Sequence, residues 1–196
     1  MNFYISDLHL GHKNILSLDE RNFETLEDMH ATIINNWNSV VKDTDTVYII
    51  GDLAWKNAVG IDVLNRLTGN KVLILGNHDK INNEIRKAFI EVTNTKIITD
   101  SENGITQQLI LSHYPIAHWY NQFKGSILIY GHVHIGIDWS TFEFYGNYCR
   151  MNGIPFEAYN VGCMLDYMNF TPRTLEEIKA GYKTSKLVSN LHICEH

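Results

Sequence analysis

Short apolar runs that end abruptly in polar residues alternate along the chain with longer stretches of helical spacing. Such runs occupy residues 2–6, 45–50, 71–75 and 126–130. Their length and their β-branched content predict buried strands. Two further runs, at residues 96–99 and 105–111, flank Asn103 and Gly104, and this dipeptide favours a two-residue hairpin turn. The runs therefore predict several buried strands and at least one hairpin.

Helical spacing fills the intervals between these strands. Thr25 followed by Asp28 resembles a capping box with Asp in place of Glu or Gln, and it precedes an amphipathic stretch of about four turns. Thr174 and Glu177 form a full capping box before a last helix. Helical spacing also marks residues 59–67 and 81–89. Strands and helices alternate without a repeat or linker, which predicts a single α/β domain over residues 1–196.

An aromatic-rich segment lies between residues 139 and 159. Its members are Trp139, Phe142, Phe144, Tyr145, Tyr148, Phe156 and Tyr159. Exposed aromatic faces stack nucleobases, at about 1–3 kcal/mol per base, whereas buried ones fill the faces of a hairpin. We favour the buried hairpin, and an aromatic wall over a ligand site is the alternative.

Composition and charge narrow the class of protein. Lys plus Arg number 16 against 22 Asp plus Glu in 196 residues, so the formal net charge is −6. This balance disfavours a protein that coats nucleic acid, which needs a surplus of cations. No apolar run approaches the ~20 residues of a membrane span, and no secretory signal is seen. Three cysteines without metal-ligand spacing favour a reducing compartment, so we expect a cytoplasmic location and no membrane partner.

Polar side chains follow almost every predicted strand. Those collected from the strand ends are Asp7, His9, Asp52, Asn77, His78, His113, His132 and His134. Ligands of open α/β sheets bind outside the carboxyl ends of the strands, so these side chains should converge on one rim. Asp and Asn alone are common turn formers, but turn chemistry does not explain histidine after so many strands.

The chemistry of this set indicates metal binding. Carboxylate, amide and imidazole donors together suit Mn, Fe, Zn, Co or Ni better than Ca or Mg. The donors are too many for one ion with open positions, whereas two ions that share a carboxylate would use them all. If the loops are extended, residues two apart face the same side, so Asp7 with His9 and His132 with His134 should each point into the site.

Six motifs resemble those of the calcineurin-like metallophosphoesterases, in the family's order over residues 2–162. They are SDLHLGH (6–12), GDLA (51–54), GNHD (76–79), SHYP (112–115), GHVH (131–134) and NVG (160–162). The segment from residue 160 onward is similar to the closing segment of the small bacterial and phage-type members. The resemblance implies a four-layer αββα sandwich of two mixed sheets, with a metal site at the strand carboxyl ends.

The resemblance also implies a role for each residue of the set. Asp7, His9 and His134 would bind a first metal ion, Asn77, His113 and His132 a second, with Asp52 bridging them and His78 as the catalytic histidine. Two divalent transition-metal ions about 3.5–4 Å apart clamp phosphoryl oxygens and generate a hydroxide at neutral pH. A protonated His78 could then act as general acid toward the leaving oxygen. We expect manganese, with iron, zinc, nickel and cobalt as alternatives.

The motif that contains Asp52 departs from the protein-phosphatase branch of the family. That branch has GDxVDRG, whose second Asp orients the catalytic histidine and whose Arg grips phosphate. This chain has GDLAWKN, with Trp55 and Lys56 at those positions. Lys56 could replace the Arg as a point charge or could be a solvated surface residue. His12 could line the substrate side or make a local hydrogen bond.

These observations favour a metal-dependent phosphoric ester hydrolase that acts on a small phosphate ester or nucleotide. We expect phosphodiesters to be preferred over monoesters, because Lys56 replaces the phosphate-gripping Arg and a diester carries only one negative charge. A nuclease or nucleotide phosphatase of the same superfamily is the first alternative. A non-catalytic protein-interaction scaffold, like the retromer subunit of this fold, is the second, and it is disfavoured because such scaffolds lose ligand positions.

Overall fold

Two four-stranded sheets form the framework of the computed structural model, which describes residues 1–102 and 104–191. Asn103 of the predicted hairpin turn lies outside the described residues. The first sheet contains β1 (Asn2–Ile5), β2 (Thr46–Ile50), β3 (Asn70–Ile74) and β4 (Glu91–Thr93), in that order. The second contains β5 (Thr95–Glu102), β6 (Ile105–Ser112), β7 (Ile127–Tyr130) and β8 (Ala158–Asn160), also in that order.

Strand direction brings the carboxyl ends together. All three pairings of the first sheet are parallel, with Phe3 opposite Val47 and Val47 opposite Lys71. In the second sheet β5 and β6 are antiparallel, as predicted, while β6, β7 and β8 run parallel. The prediction of two mixed sheets is therefore corrected in one respect, since only the second sheet is mixed.

Seven α-helices and one short 3₁₀ helix connect and cover the strands in the described part of the chain. They are α1 (Ile15–Leu18), α2 (Leu26–Val40), α3 (Asn57–Leu64), α4 (Asn83–Arg86), the 3₁₀ helix (Gln122–Lys124), α5 (Ile137–Met151), α6 (Leu175–Thr184) and α7 (Lys186–Leu191). Thr25 caps α2 by accepting a hydrogen bond from the Asp28 N–H at 3.1 Å. The predicted capping box opens α6. The helix predicted at 81–89 is shorter than expected, because only one turn, α4, is helical.

The aromatic-rich segment is where the sequence prediction was wrong. Residues 137–151 form the helix α5, and no hairpin is present there. The buried members of α5 are Trp139, Glu143, Gly146 and Cys149, whose spacing of three or four residues is that of one helical face. Aromatic residues favour strands in general, but the spacing of the buried residues in this segment is that of a helix, and this spacing outweighs the preference.

Alternation along the second sheet defines the layers. Leu109 and Leu111 pack in the core shared with the first sheet and with α2 and α3. Ile110 and Tyr130 point the other way, into a second cluster that contains Cys149 of α5. Helices thus cover the outer face of each sheet, which confirms the αββα sandwich. The single-domain assignment of residues 1–196 stays a prediction.

Backbone hydrogen bonds join the two sheets at one point, just beyond the end of β1. The Ser6 N–H donates to the Val161 carbonyl at 2.9 Å, and the Cys163 N–H donates to the Ser6 carbonyl at 3.0 Å. Residue 6 directly precedes Asp7, so the loops of both sheets meet there. No helix among the described residues is long and apolar enough to cross a membrane.

Candidate metal centre

The loops that follow β1, β2, β6 and β7 bring two groups of donor side chains together. The first group is Asp7, His9, Asp52 and His134, and the second is Asp52, His113 and His132. Within each group one donor atom per residue lies within 4.8 Å of the others. The predicted convergence on one rim is therefore confirmed for these residues, and Asp52 belongs to both groups.

The Asp52 carboxylate lies between the histidines of the two groups. Its Oδ2 atom is 3.6 Å from His9 Nε2 and 3.5 Å from His113 Nε2. Asn77, from the loop after β3, places its Oδ1 atom 3.1 Å from the same His113 nitrogen. The structure thus brings together all seven of the residues for which the sequence suggested metal binding.

The backbone of these loops is not extended, so the geometry assumed from the sequence was wrong. Positive φ angles occur at Asp7 (56°), His9 (48°), Asp52 (52°), His132 (75°) and His134 (44°). The left-handed region costs roughly 1–2 kcal/mol for a residue with a side chain, and such strain is concentrated at functional sites. The side chains of these five donors converge because the backbone turns sharply at each of them.

Two glycines of the motifs are required by close packing around the carboxylates. A Cβ atom on Gly76 would lie 2.3 Å from Asp52 Oδ1, and one on Gly131 would lie 2.6 Å from Asp7 Oδ2. Neither distance is compatible with a side chain. Both glycines therefore leave the space that the carboxylates occupy.

A hydrogen bond to the backbone selects the tautomer of His113. Its Nδ1 atom lies 2.9 Å from the Ile50 carbonyl oxygen, which can only accept. Nδ1 must therefore carry a proton, and Nε2 is the nitrogen that faces Asp52 and Asn77 and is left to bind a cation. This arrangement is typical of histidines that bind metals.

Sequence reasoning missed two buried charged residues behind the first group. Asp19 Oδ1 lies 2.6 Å from His134 Nδ1, and Arg21 donates to Asp19 Oδ2 at 2.8 Å. Arg21 also donates to the carbonyl of Asp7 at 2.8 Å. Asp19 and Arg21 lie in an irregular segment outside the six motifs, and no sequence signal marks them. Together they orient the His134 ring and hold the loop after β1.

Burial and neighbouring charges shift the ionisation of the donors. Burial lowers the pKa of His9 to about 4, despite the nearby carboxylates of Asp7 and Asp52. Burial alone would also lower the pKa of His134, but hydrogen bonds to Asp19 and Asp7 outweigh it and raise the pKa to about 10. Burial would raise the pKa of Asp52, yet the hydrogen bond to His113 prevails and the pKa is lowered. An ionised Asp52 and a neutral His9 suit a cation. In contrast, His134 and His113, whose pKa is also raised, despite burial, by the hydrogen bond to Asp52, would each release a proton to bind one.

His78 borders the donor groups without being part of either. Its backbone N–H donates to Asp52 Oδ1 at 3.0 Å, and its exposed ring centroid lies 5.6 Å from that of His9. In the described residues no hydrogen bond reaches the His78 ring. Its other ring neighbour is Trp55, at 5.3 Å between centroids. An indole thus stands beside His78 where the protein-phosphatase branch has a carboxylate.

The remaining sequence candidates lie beside this indole. The His12 ring stacks on Trp55, with centroids 4.3 Å apart and planes 19° from parallel. His12 and the exposed Lys56 line the same surface cavity of about 250 Å³. On the other side of the centre, Tyr114 packs against His132, with centroids 4.7 Å apart. The aromatic residues that flank the donor groups are therefore Trp55 and Tyr114, and not those of α5.

Comparison with known proteins identifies the family. The model of the calcineurin-like phosphoesterase family matches residues 3–148. The chain belongs to the calcineurin-like phosphoesterase family. This confirms the resemblance that the six motifs suggested. The family is one of hydrolases that typically bind divalent metals, and the two Asp/His groups provide donors of that kind.

Relatives of this calcineurin-like chain align with two thirds or more of its length. An uncharacterised protein of Methanocaldococcus jannaschii is 31% identical over 196 residues, which cover 97% of this chain and 96% of the relative. The gene 66 protein of Mycobacterium phage L5 is 32% identical over 160 residues, covering 67% of this chain and 76% of the relative. The crystal structure of a protein of unknown function from Aquifex aeolicus superposes with a TM-score of 0.68 at 28% identity, covering 92% and 98% of the two chains.

Proposed function

We propose that this chain is a metal-dependent phosphoesterase with a dinuclear centre bridged by Asp52. The observation that carries the proposal is the position of the Asp52 carboxylate, within 3.6 Å of His9 Nε2 and 3.5 Å of His113 Nε2. One carboxylate shared by two groups of nitrogen and oxygen donors is the arrangement that a pair of cations requires.

The donors fit divalent transition metals by their chemistry. Asp7, His9 and His134 would hold one ion, Asn77, His113 and His132 the other, and Asp52 both. Imidazole nitrogens mixed with few oxygens favour manganese, iron, cobalt, nickel or zinc over calcium and magnesium, and we propose manganese. When bound, the pair clamps phosphoryl oxygens and activates water for in-line attack.

His78 is proposed as the general acid. Its ring is exposed and lies outside both donor groups, while its backbone is tied to Asp52. A histidine in this position can donate a proton to the leaving oxygen when the phosphorus–oxygen bond breaks. Among the described residues no carboxylate contacts the His78 ring. Its neighbours are the rings of His9 and Trp55, and these two rings limit its orientation.

The charges around the centre favour phosphodiesters over monoesters. Arg21 is buried, and its guanidinium is engaged by Asp19 and by backbone carbonyls. It is therefore not free to grip a phosphate dianion. Lys56 is exposed and offers a point charge without bidentate geometry. A diester monoanion needs less positive charge than a monoester dianion, so the substrate is proposed to be a small diester, such as a cyclic or short nucleotide.

The test is to compare kcat/KM for bis-p-nitrophenyl phosphate and p-nitrophenyl phosphate with Mn, Zn, Ni and Mg in turn. We expect metal-dependent hydrolysis with the diester preferred, and Asp52→Asn as the inactive control. A clear monoester preference would overturn the ester assignment. Absence of hydrolysis of both esters with every metal would argue against a phosphoesterase.

A further inference from the structure

Trp55 differs from the other tryptophans of the chain in its exposure. Trp37, Trp119 and Trp139 are buried, whereas 51% of the Trp55 surface is accessible. The backbone N–H of Trp55 donates to the Leu10 carbonyl at 2.9 Å, and the ring rests on His12. A large aromatic side chain is thus held in a fixed position with half of its surface open. A single exposed aromatic side chain is common on a protein surface, so the feature that sets Trp55 apart is its position beside the rings of His12 and His78.

The position of Trp55 relates it to one part of the substrate. A general acid has to lie within hydrogen-bond reach of the leaving oxygen. The Trp55 ring is 5.3 Å from that of His78, the proposed general acid. When the leaving oxygen of a substrate faces His78, the departing group therefore lies against the indole. The group that stays attached to phosphorus lies elsewhere.

The cavity beside Trp55 has the chemistry to bind a nucleotide. It measures about 250 Å³ and is lined by Gly11, His12, Lys13, Asn14, Trp55 and Lys56. The lining combines a flat aromatic side chain with two lysines and contains no carboxylate, in a chain whose net charge is −6. A nucleobase stacks on an aromatic ring, and lysines bind phosphate as point charges.

We propose that this cavity is a leaving-group subsite for a nucleotide, in which the base stacks on Trp55 and a further phosphate is bound by Lys13 and Lys56. The inference rests on the proposed phosphoesterase function and names its substrate class, a diester link between nucleotides. In the reaction, water adds its OH group to phosphorus, the bond to the departing nucleotide breaks and its oxygen takes the proton of His78, and the proton released from water restores His78 through solvent. Trp55 is then a specificity determinant.

Two substrates with the same retained nucleotide isolate the leaving group. One is a thymidine dinucleotide that carries a terminal phosphate on the departing nucleoside, and the other is the methyl ester of the thymidine monophosphate that both substrates yield as the retained product. We expect Trp55→Ala to lower kcat/KM for the dinucleotide about 5- to 100-fold more than for the methyl ester, as loss of one stacked base predicts. Trp55→Phe should keep most of the preference. An equal loss on both substrates would overturn the subsite.

Phe123→Ala is the matched control for removal of an exposed aromatic side chain. Phe123 is 70% exposed in the 3₁₀ helix before the amino end of β7, away from the carboxyl-end rim. Its substitution should leave both rates unchanged. A change like that of Trp55→Ala would show that the effect is not local, which would also overturn the subsite.

Fluorescence tests the same inference without catalysis. Trp55 is the exposed tryptophan, and a base that stacks on it should quench its fluorescence. Adenosine monophosphate should therefore quench the tryptophan fluorescence of the protein saturably, and the quenching should be absent in Trp55→Phe. Adenosine should bind more weakly than its monophosphate, and Lys13→Ala with Lys56→Ala should remove that difference. No saturable quenching would overturn the subsite even in an active phosphoesterase. Quenching without hydrolysis of any ester would instead retain the subsite and contradict the proposed reaction.

Discussion

Asp79 accepts a hydrogen bond from the backbone N–H of Asp52, with 2.9 Å between Asp79 Oδ2 and the nitrogen. The same carboxylate accepts from the N–H groups of Leu53 at 2.9 Å and of Gly76 at 2.8 Å. The last residue of the GNHD motif therefore ties the loop after β3 to the loop after β2. The Asp52 and Asn77 side chains are positioned by this link.

Replacement of Asp79 should destabilise the protein. In Asp79→Asn the amide can satisfy fewer of the three N–H donors, and its own N–H₂ group faces some of them. We expect a loss of about 1–3 kcal/mol in the free energy of unfolding, the cost of leaving such groups unpaired. Urea unfolding measures it, with the exposed Asp43→Asn as the matched control. Equal stability of the two variants would contradict the proposed link.

Asp19 should support metal binding without contacting the metal. Asp19→Ala removes the hydrogen-bond acceptor of His134 Nδ1, so the ring loses its fixed orientation. Loss of such a partner typically lowers metal affinity about 10- to 100-fold. We expect this range in a Mn titration followed by calorimetry, and a smaller effect for Asp19→Asn, whose carbonyl oxygen can still accept. Wild-type affinity in both variants would mean that His134 needs no such support.

The metal content should be about two transition-metal ions per chain, because the six other donor residues arranged around the shared Asp52 fill two open shells. Metal analysis after saturation with Mn checks the number. Asp52→Asn should bind metal more weakly, chiefly at the second ion, because the amide is a neutral and poorer bridge. A wild-type chain that holds one ion at most would rule out the dinuclear centre.

His78 should serve the reaction and not the binding of metal. His78→Ala is expected to retain its metal content but to lose roughly 10²- to 10⁴-fold in turnover, the usual contribution of a general acid. The loss should be largest for esters with poor leaving groups, which need the proton most. Kinetics on a series of aryl and alkyl esters provides the measurement. A loss that is the same across the series would point to a different role.

The local pattern of apolar and polar residues was sufficient to predict many of the strands and the group of donor residues. The apolar runs that became β1, β2, β3 and β7 are recognisable because a buried strand needs continuous apolar residues. The polar residues after them could be assigned to one rim because parallel strands end at the same edge. The donors Asp7, Asp52 and His113 were thus identified from residue type and position alone.

Tertiary structure decided what depends on contacts between distant segments. The ion pair of Asp19 with Arg21 became part of the site only when folding placed it behind His134, since no local pattern encodes that neighbour. The left-handed turn at Asp52 likewise follows from the loops that pack around it, and sequence favoured an extended one. The stack of Trp55 on His12 joins two loops whose spacing is set by the pairing of β1 with β2. Residue types determine which chemistry is available, whereas the packing of remote segments determines which groups meet.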